Sequence, residues 1–448
     1  MPLHPLKAEW DADLLGDDPL SFPGYEPPAV ETVRTGATDH YALIEGRFDV
    51  LGGTMGAAHG EKVVRAFRRA TAERLPVVIV TSSGGARLQE GMVALVQMAR
   101  TTAAASDHAR AGLMQIVVHR SPTTGGVYAS YGSLGDLHAA SPGALIGFAG
   151  PRVVEQLLET KVDASSHSAE AAYAAGRIDA LIEDDAQGQW IERALGLRRD
   201  NASTPPLRVL DRGAPSGDAW AIVQAARDDD RASGRQWAEE LCDSWVDLRG
   251  TDPVVRAGLA YLDDRRLVVV ALDRHAAEGR PSPDGYELAR RAYSLADRLG
   301  LPALTFVDTP GAEPGPDAER SGIAREIATT FALQSTLQIP TVSVCVGEGG
   351  SGGALAFAAT DRLLILDDAV FSVIGPEGAA AILGRDSGRA AEYAPLLGMT
   401  APDLARLGVV DGVVTAHGLR QAIVDALNAA RPGDRAARHD AVTAAWVR

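Results

Sequence analysis

An internal repeat is the feature of this sequence that most restricts its fold. Short apolar runs rich in β-branched residues end in glycine turns at 75–80 (LPVVIV, then TSSGGARLQEG) and again at 301–307 (LPALTFV, then DTPGAEPG). Each half then repeats the pattern, at 115–118 (QIVV, then HRSPTTGGVYAS) and at 341–346 (TVSVCV, then GEGGSGGALAFAAT). Three landmark pairs keep nearly the same separation along the chain: Pro76 and Pro302, Gly126 and Gly353, Pro151 and Pro376. The chain therefore contains two copies of one unit made of a strand, a glycine turn and a helix.

The repeated runs predict an α/β fold. A short apolar run that ends in a glycine turn is typical of a buried strand feeding a loop. The segments 61–74 and 284–300 place apolar residues at helical spacing just before the first strand of each copy, with Asp284 as the predicted N-cap and Gly300 as the predicted stop. Strands that alternate with helices favour a largely parallel sheet.

The domain boundaries follow from the repeat and from composition. Residues 197–218 are rich in proline, glycine and charge and lack periodicity, so they are predicted to form a linker. The predicted organisation is an N-terminal extension (1–29), a first domain (30–196) and a second domain (219–448).

Charge and composition exclude several classes of function. The chain has 43 Lys and Arg against 59 Asp and Glu, a formal net charge of -16, and so lacks the basic surface that binds nucleic acid or anionic membrane. It contains neither a signal-peptide segment nor the run of roughly 20 apolar residues that spans a bilayer, so a cytoplasmic protein is expected. The two cysteines, Cys242 and Cys345, support no zinc site, and no metal is expected.

Each glycine turn predicts a site for a transient anion. Glycine allows positive φ and close approach of a ligand to the backbone. The free N–H groups at the start of the following helix then favour negative charge. Such fixed donors are most effective at an oxygen that becomes negative during a reaction. The alternative is a tight turn without a ligand, and repetition of the turn in both halves favours function.

Residues 347–353 also fit two other patterns. Their glycines match G-x-G-x-x-G, and Asp367 follows at the spacing of the acidic residue in dinucleotide-binding proteins. Ser351 is the central serine of G-x-S-x-G, as in hydrolases. The first copy keeps only Gly125 and Gly126 of either pattern. The shared Gly-Gly pair therefore carries more weight than the fingerprint or the serine.

At these residues the chain resembles a known family. TSSGGARLQEG and SPTTGGVYASYGSLGDLHAASPGALIGFAGPRVVEQ are similar to the β subunit of acetyl-CoA carboxylase carboxyltransferase, over about residues 30–185. LADRLGLPALTFVDTPGAEPG and VGEGGSGGALAFAATDRLLILDDAVFSVIGPEGAAAIL are similar to its α subunit, over about residues 219–425. The order implies fused β and α subunits, built as two tandem crotonase-like domains, each a ββα spiral.

The resemblance implies a biotin-dependent reaction. A carboxyl group would move from carboxybiotin on a separate carrier protein to an acyl-CoA, acetyl-CoA or a close analogue, giving a malonyl-CoA for fatty acid biosynthesis or a specialised pathway. It implies biotin carboxyl carrier protein and biotin carboxylase as partners. It also implies a homodimer or larger oligomer with active sites between β-like and α-like domains. Two alternatives stay open: a biotin-independent acyl-CoA decarboxylase, and a non-catalytic scaffold.

The resemblance also assigns roles to residues of this sequence. Two enolates form in the implied reaction, so two oxyanion holes are expected: Gly125 and Gly126 for the thioester oxygen, Gly352 and Gly353 for the biotin carbonyl. The expected contacts with acyl-CoA are Gly84, Gly85 and Arg87; those with biotin are Gly350, Ser351 and Ala354. An arginine beside such a turn, like Arg87 or Arg120, can instead be ion-paired or solvated.

The chain departs from the family pattern at several places. The β subunit usually begins with a four-cysteine zinc ribbon, and the segment 1–30 of this chain contains no cysteine. Glu313 replaces the tyrosine of Gly-Ala-Tyr-Pro-Gly, and Asp49 replaces an arginine before the Gly-Gly of the first domain. These changes leave the identity of the acyl-CoA open.

Overall fold

A computed structural model describes residues 3–150, 154–156, 164–200 and 217–447. The chain divides into two compact units, Met1–Arg198 and Arg199–Arg448. The division falls within the predicted linker, of which residues 201–216 lie outside the described residues, as does the landmark Pro151.

The first unit is an eight-stranded sheet with the strand order β1-β2-β3-β4-β5-β6-β8, and β7 pairs with β5. The strands are β1 Ala8–Trp10, β2 Val33–Ala37, β3 Ala42–Gly46, β4 Val77–Ser83, β5 Gln115–Thr124, β6 Leu137–Ala140, β7 Ile146–Gly147 and β8 Ala180–Leu181. Strands β1 to β3 pair antiparallel, and the pairs from β3 onward are parallel. Because β1 lies within residues 1–29, the sheet begins inside the segment predicted as an N-terminal extension.

Five helices whose bounds are described flank this sheet. They are α1 Ala57–Ala72, α2 Gly91–Arg110, α3 Gly125–Tyr128, α4 Ala169–Ala174 and α5 Gln187–Leu195. The core lies between the sheet and α1, where Phe67, Ile79 and Val117 are fully buried.

The second unit repeats this topology. Its sheet has the order β16-β14-β13-β12-β11-β10-β9, with β15 paired to β13. The strands are β9 Asp243–Leu248, β10 Val255–Leu262, β11 Arg265–Leu272, β12 Ala303–Thr309, β13 Thr341–Gly350, β14 Arg362–Leu366, β15 Val370–Ser372 and β16 Gly412–Val414. The described helices are α6 Ala219–Ala226, α7 Gly234–Leu241, α8 Pro283–Leu299, α9 Pro316–Arg320, α10 Ile323–Thr336, α11 Ser351–Ala358, α12 Pro376–Gly384, α13 Ala390–Tyr393, α14 Ala401–Arg406, α15 Leu419–Ala429 and α16 Asp434–Ala444.

The structural repeat confirms the sequence repeat. One and the same interval in sequence separates the first residues of β4 and β12, of β5 and β13, and of α1 and α8. Every residue of β4 and of β12 is buried, as expected for parallel strands covered on both faces. The predicted α/β fold with a largely parallel sheet in each half is therefore confirmed.

The start of α8 corrects one sequence prediction. The N-cap is Ser282, with Pro283 in the first turn, and Asp284 lies inside the helix, where its carboxylate accepts a hydrogen bond from Thr251. Proline suits this position because its missing N–H has no partner there in any helix. Gly300 ends the helix in the left-handed conformation (φ 67°), as predicted. Within the described residues, no helix has both the length and the apolar character to cross a bilayer.

Candidate active site

The first turn site is formed where β4 and β5 end, and comprises residues 84–86 and 125–126. Gly85 has φ 114° and Gly125, the first residue of α3, has φ 60°. A Cβ on Gly125 would lie only 2.8 Å from the Cα of Gly85. The two segments touch backbone to backbone, so glycine is required at both positions.

The second turn site, residues 310–312 and 351–353, has the same construction where β12 and β13 end. Gly311 has φ 132°, and Ser351, the first residue of α11, has φ 59° although it is not glycine. A Cβ on Gly350 would lie 1.9 Å from the carbonyl oxygen of Pro310. Gly350 is thus needed for close packing of the two segments.

The structure shifts the alignment of the two glycine pairs by one residue. Strands β5 and β13 end at Thr124 and Gly350, so each helix begins at the next residue, Gly125 or Ser351. Gly126 consequently matches Gly352, whereas the sequence landmarks paired it with Gly353.

The N–H groups of the first turn site are mostly committed. The bonds are Gly84 N to Gly52 O at 2.9 Å, Gly85 N to Ser83 Oγ at 3.0 Å, Arg87 N to Met55 O at 2.9 Å and Gly125 N to Phe148 O at 2.8 Å. In the described part of the chain, Ala86 N–H has no acceptor, and Gly126 N–H lies in the first helical turn, where no intrahelical acceptor exists. Gly125 and Gly126 were both predicted as donors to the oxyanion. Only the N–H group of Gly126 is unused, because the N–H group of Gly125 donates to the carbonyl oxygen of Phe148.

Ala86 is a candidate donor that the sequence reasoning missed. A Cβ on Gly126 would lie 3.5 Å from the Ala86 Cβ, so the two residues are neighbours. The signal was present in the sequence as a Gly-Ala dipeptide at the same place in both copies, Gly85-Ala86 and Gly311-Ala312.

The second turn site leaves the matching donors free. Gly311 N–H bonds to Thr309 Oγ1 at 3.0 Å and Glu313 N–H bonds to Pro281 O at 3.0 Å. Ala312 N–H, between them, has no acceptor among the residues that the structure describes. Gly352 is in the first turn of α11, and a Cβ there would meet nothing within 4 Å. Ala312 and Gly352 therefore correspond to Ala86 and Gly126, the two unused donors of the first unit.

The other residues predicted around this turn are buried or strained. A Cβ on Gly353 would lie 2.5 Å from Ala312 N, so this glycine allows the two segments to approach. Ala354 is fully buried, and its side chain packs in the core. The side chain of Ser351 is exposed.

Arg87 lies inside the first unit. Its guanidinium is paired with Glu31 at 2.5 Å and Glu90 at 2.7 Å, and all three side chains are fully buried. Burial alone would raise the pKa of Glu31, but the bond and charge of Arg87 lower it below its ordinary value. The geometry favours the ion-paired alternative over direct contact of Arg87 with acyl-CoA.

A buried histidine extends this polar cluster. His59 Nδ1 lies 2.8 Å from the Thr32 hydroxyl, and its Nε2 lies 2.9 Å from the Tyr131 hydroxyl. Desolvation by burial lowers the pKa of His59 to about 3, with the charge of Arg87 adding to the effect. His59 is accordingly neutral near pH 7.

Two arginines form ion pairs that fix the strand ends at the second turn site. Arg231 binds Asp308 in a bidentate pair, at 2.5 and 2.9 Å. Arg227 joins Glu348 of β13 to Glu377 at the start of α12, each at 2.7 Å. These pairs anchor the segment before α7 to the ends of β12 and β13.

The structure also bears on the two competing motifs. Gly347 and Gly349 lie inside β13, where a Cβ would strike Arg231 (2.0 Å) or Phe371 (2.3 Å), so they pack the core and form no phosphate-binding loop. His275 binds the carbonyl oxygen of Arg231, and no described histidine of the second unit is hydrogen-bonded to Ser351. Neither motif therefore has the surroundings that its chemistry requires.

The departures from the family pattern lie at the surface or beside a turn. Asp49 is exposed and pairs with Arg47 at 3.2 Å. Glu313 is half-buried, and its Oε1 accepts a hydrogen bond from Gly315 N at 2.9 Å.

Within the described residues, no group of three or more His, Cys, Asp or Glu is placed to hold a metal ion. Burial raises the pKa of both Cys242 and Cys345 to about 12.

Comparison with known proteins finds one match in the second unit and others over most of the chain. Residues 216–431 match the family model described as acetyl co-enzyme A carboxylase carboxyltransferase-like. The acetyl-coenzyme A carboxylase carboxyl transferase subunits beta/alpha of Saccharopolyspora erythraea is 41% identical over 399 residues, covering 85% of this chain and 70% of that protein. A probable biotin-dependent acyl-coenzyme A carboxylase beta3 subunit of Mycobacterium bovis is 39% identical over 396 residues, covering 86% and 80%.

A solved structure supports the fold. The transcarboxylase 12S structure, a hexamer with methylmalonyl-coenzyme A and methylmalonic acid bound, superposes with a TM-score of 0.78 at 22% identity. The match covers 94% of this chain and 86% of that chain. Both units accordingly have the predicted crotonase-like fold.

Proposed function

Because the chain belongs to the family of acetyl-CoA carboxylase carboxyltransferases, with its β-like and α-like parts fused, we propose that it transfers a carboxyl group from carboxybiotin on a carrier protein to an acyl-CoA. The product is a malonyl-CoA or a substituted malonyl-CoA. Such a product serves chain extension in fatty acid biosynthesis or in a specialised pathway.

The observation that carries the proposal is the duplicated donor pair. Each unit presents an alanine N–H and a glycine N–H, at equivalent positions of the repeat and at the carboxyl ends of two parallel strands. Carboxyl transfer between a ureido ring and a thioester forms an enolate on each, so it uses two such pairs, whereas simple decarboxylation uses one. Donors that are fixed before the reaction stabilise an oxyanion without reorganisation.

The assignment of the turns follows the family resemblance. The first turn site holds the thioester oxygen with Gly126 and Ala86, and Gly84 and Gly85 line the acyl-CoA pocket. The second turn site holds the biotin carbonyl with Gly352, Ala312 and Gly353, beside Gly350 and Ser351. Bound carboxybiotin would supply the carboxyl group as carbon dioxide, and the biotin anion left behind would accept the proton of the carbon beside the thioester. The chain itself binds, orients and stabilises negative oxygen.

The partners of the proposed reaction are a biotin carboxyl carrier protein, a biotin carboxylase and further copies of this chain. Four apolar side chains between residues 373 and 396 of the second unit are strongly exposed: Val373, Ile382, Leu383 and Leu396. We infer that they form an apolar patch that supports self-association, because monomeric proteins seldom expose large clustered apolar surface. We propose that this patch is covered in a homodimer or larger oligomer.

One assay tests the reaction. The purified chain is incubated with malonyl-CoA and either free biotin or a biotinylated carrier domain, and carboxyl transfer is followed. We expect biotin-dependent loss of malonyl-CoA with formation of acetyl-CoA. Loss that does not depend on biotin would assign the chain to the decarboxylases. No turnover with malonyl-, methylmalonyl- or longer acyl analogues would favour the scaffold.

A further inference from the structure

A buried ion cluster lies directly behind the first turn site. Arg87 follows the donor residue Ala86, and its guanidinium lies between Glu31 at 2.5 Å and Glu90 at 2.7 Å. None of the three side chains is accessible to solvent. Because the guanidinium of Arg87 has no access to solvent, it contacts other protein groups and not a dissolved ligand.

The remaining donors of the guanidinium tie separate segments together. Nη2 also donates to Thr32 Oγ1 at 3.1 Å and to the Thr54 carbonyl at 3.0 Å, and Nη1 donates to the Tyr25 hydroxyl at 3.3 Å. One side chain thus joins the N-terminal segment, the residues before β2 and the loop before α1. The planar fork of arginine suits this arrangement because it presents several donors in fixed directions.

The same segments hold the backbone on both sides of Ala86. Met55 N–H donates to Gly85 O at 2.8 Å, and Arg87 N–H donates to Met55 O at 2.9 Å. The Thr54 carbonyl bonded to the guanidinium immediately precedes Met55. The position of the guanidinium therefore sets the position of the loop that fixes Ala86 N–H.

Glu90 and Gly56 complete the cluster. Glu90 Oε2 accepts a hydrogen bond from Ala57 N–H at 2.6 Å and so binds the start of α1. A Cβ on Gly56 would lie 2.7 Å from Arg87 Nη1, so glycine leaves the space that the guanidinium occupies. The cluster depends on residues from several segments around one turn.

The second unit shows that this cluster does not follow from the fold alone. The residue that occupies the position of Arg87 in the second copy is Glu313, whose carboxylate bonds to Gly315, two residues away. The two turns share their backbone but are supported by different side chains.

We propose that Arg87 is a positioning residue that holds Ala86 N–H in the direction needed to bind the thioester oxyanion. The expected effect of Arg87 on the rate of carboxyl transfer rests on the proposed function. Its expected effect on the position of residues 85–87 rests on the geometry alone. Removing the guanidinium leaves two buried carboxylates without an opposite charge beside them. The loop of Thr54 and Met55 then separates from residues 85–87, and the donor loses its fixed direction.

The experiment uses the full chain and three variants. Arg87→Met removes the charge at similar length, and Arg87→Lys keeps the charge but not the planar fork. Arg110→Met is the matched control, because Arg110 forms an exposed ion pair with Asp107 on α2 of the same unit.

Amide hydrogen exchange tests the structural half without activity. In Arg87→Met we expect the amides of Met55, Gly85 and Arg87 to exchange at least about tenfold faster, with β4 unchanged, and Arg87→Lys to lie between this variant and the wild type. The control should match the wild type. Unchanged exchange at these three amides, or a uniform increase over the unit, would overturn the inference.

Steady-state carboxyl transfer tests the catalytic half. We expect kcat of Arg87→Met to fall by about 10²-fold, the typical effect of losing one oxyanion donor, while KM for acyl-CoA changes little and Arg87→Lys recovers part of the rate. A raised KM with unchanged kcat would show that Arg87 contacts the substrate instead. If the wild type lacks biotin-dependent transfer, the proposed function fails, whereas the exchange measurement still decides the role of Arg87.

Discussion

At the scale of single residues, equivalent positions of the two units share a backbone conformation but carry different side chains. Gly125 and Ser351 both begin a helix with φ near +60°. A side chain at Gly125 would collide with Gly85, whereas Ser351 is exposed and keeps its side chain despite the strain of the left-handed conformation. Strained backbone conformations of this kind cluster at functional sites, so the strain at Ser351 motivates a test of its side chain.

This contrast gives the first prediction. Ser351→Gly relieves the strain and removes the hydroxyl that we assign to biotin binding. We expect the free energy of unfolding to stay equal or to rise by up to about 1 kcal/mol, and carboxyl transfer to fall by about tenfold for one lost hydrogen bond. Chemical denaturation and steady-state kinetics provide the two measurements.

Asp263→Gly is the control, because Asp263 has φ 52° in the exposed turn between β10 and β11, at the edge opposite the second turn site. It should retain full transfer activity. Full activity in Ser351→Gly as well would remove Ser351 from the site.

The buried His59 gives a prediction about pH. Its folded-state pKa of about 3 lies below the ordinary value of 6.5, so the unfolded chain binds the proton more readily. Its contribution to stability is complete above pH 6.5 and decreases as pH falls from there toward about 3, by about 1.4 kcal/mol for each pH unit. His59→Gln should therefore lose less stability than the wild type between pH 6 and pH 4, as measured by urea denaturation.

Replacement of the exposed His40 by glutamine provides the comparison for this measurement. The slope of stability against pH should be that of the wild type. An unchanged slope in His59→Gln would mean that His59 is not neutral in the folded protein.

At the scale of secondary-structure elements, the site arises where two parallel strands end beside one helix start. The strand pairs β4–β5 and β12–β13 each shift register at the last residues before the turn. The next residues leave the sheet there, and their N–H groups are not used by the ladder. Function is thus tied to the end of regular structure and not to one side chain.

Adjacent glycines of α11 should respond differently to a methyl group. Gly352→Ala places the methyl in open space, so stability should stay equal or rise by about 0.5–1 kcal/mol, while the methyl obstructs the ligand and lowers transfer. Gly353→Ala forces the Cβ against Ala312 N and should cost about 1–3 kcal/mol and nearly all activity. Thermal unfolding and kinetics of both variants test this. A fully active Gly352→Ala would place the ligand elsewhere.

At the scale of the whole molecule, one chain carries the same architecture twice. Each unit has its own sheet, core and turn site, and the two sheets agree in strand order. In the proposed reaction, duplication supplies two oxyanion sites of similar backbone geometry, and divergence of their side chains lets each accept a different carbonyl compound.

The exposed apolar patch of the second unit predicts self-association. Leu383→Glu should shift the chain toward a smaller species in sedimentation velocity, because a buried charge disfavours the interface. Leu15→Glu, at an exposed leucine of the first unit, is the control and should sediment like the wild type. An unchanged sedimentation coefficient of Leu383→Glu would exclude this patch as the interface.

Much of this architecture was predictable because its signals are local. Apolar β-branched runs, the glycine turns and the helical spacing at 61–74 and 284–300 each depend on a few neighbouring residues. The least successful predictions concerned exact atoms: Ser282 and not Asp284 caps α8, and Gly125 N–H is bonded to Phe148.

The sequence by itself determined the repeat, the α/β architecture of each half and the place of both turn sites, because periodicity and glycine content are properties of short segments. Only the tertiary structure decided which donors are left over and what supports them. Gly85 and Arg87 are both hydrogen-bonded to the backbone of Met55, and Ala86 N–H between them is left unused. The guanidinium of Arg87 is bound by Glu31, which is distant in sequence. Such partners are chosen by packing between distant segments, and no local pattern of residues records that choice.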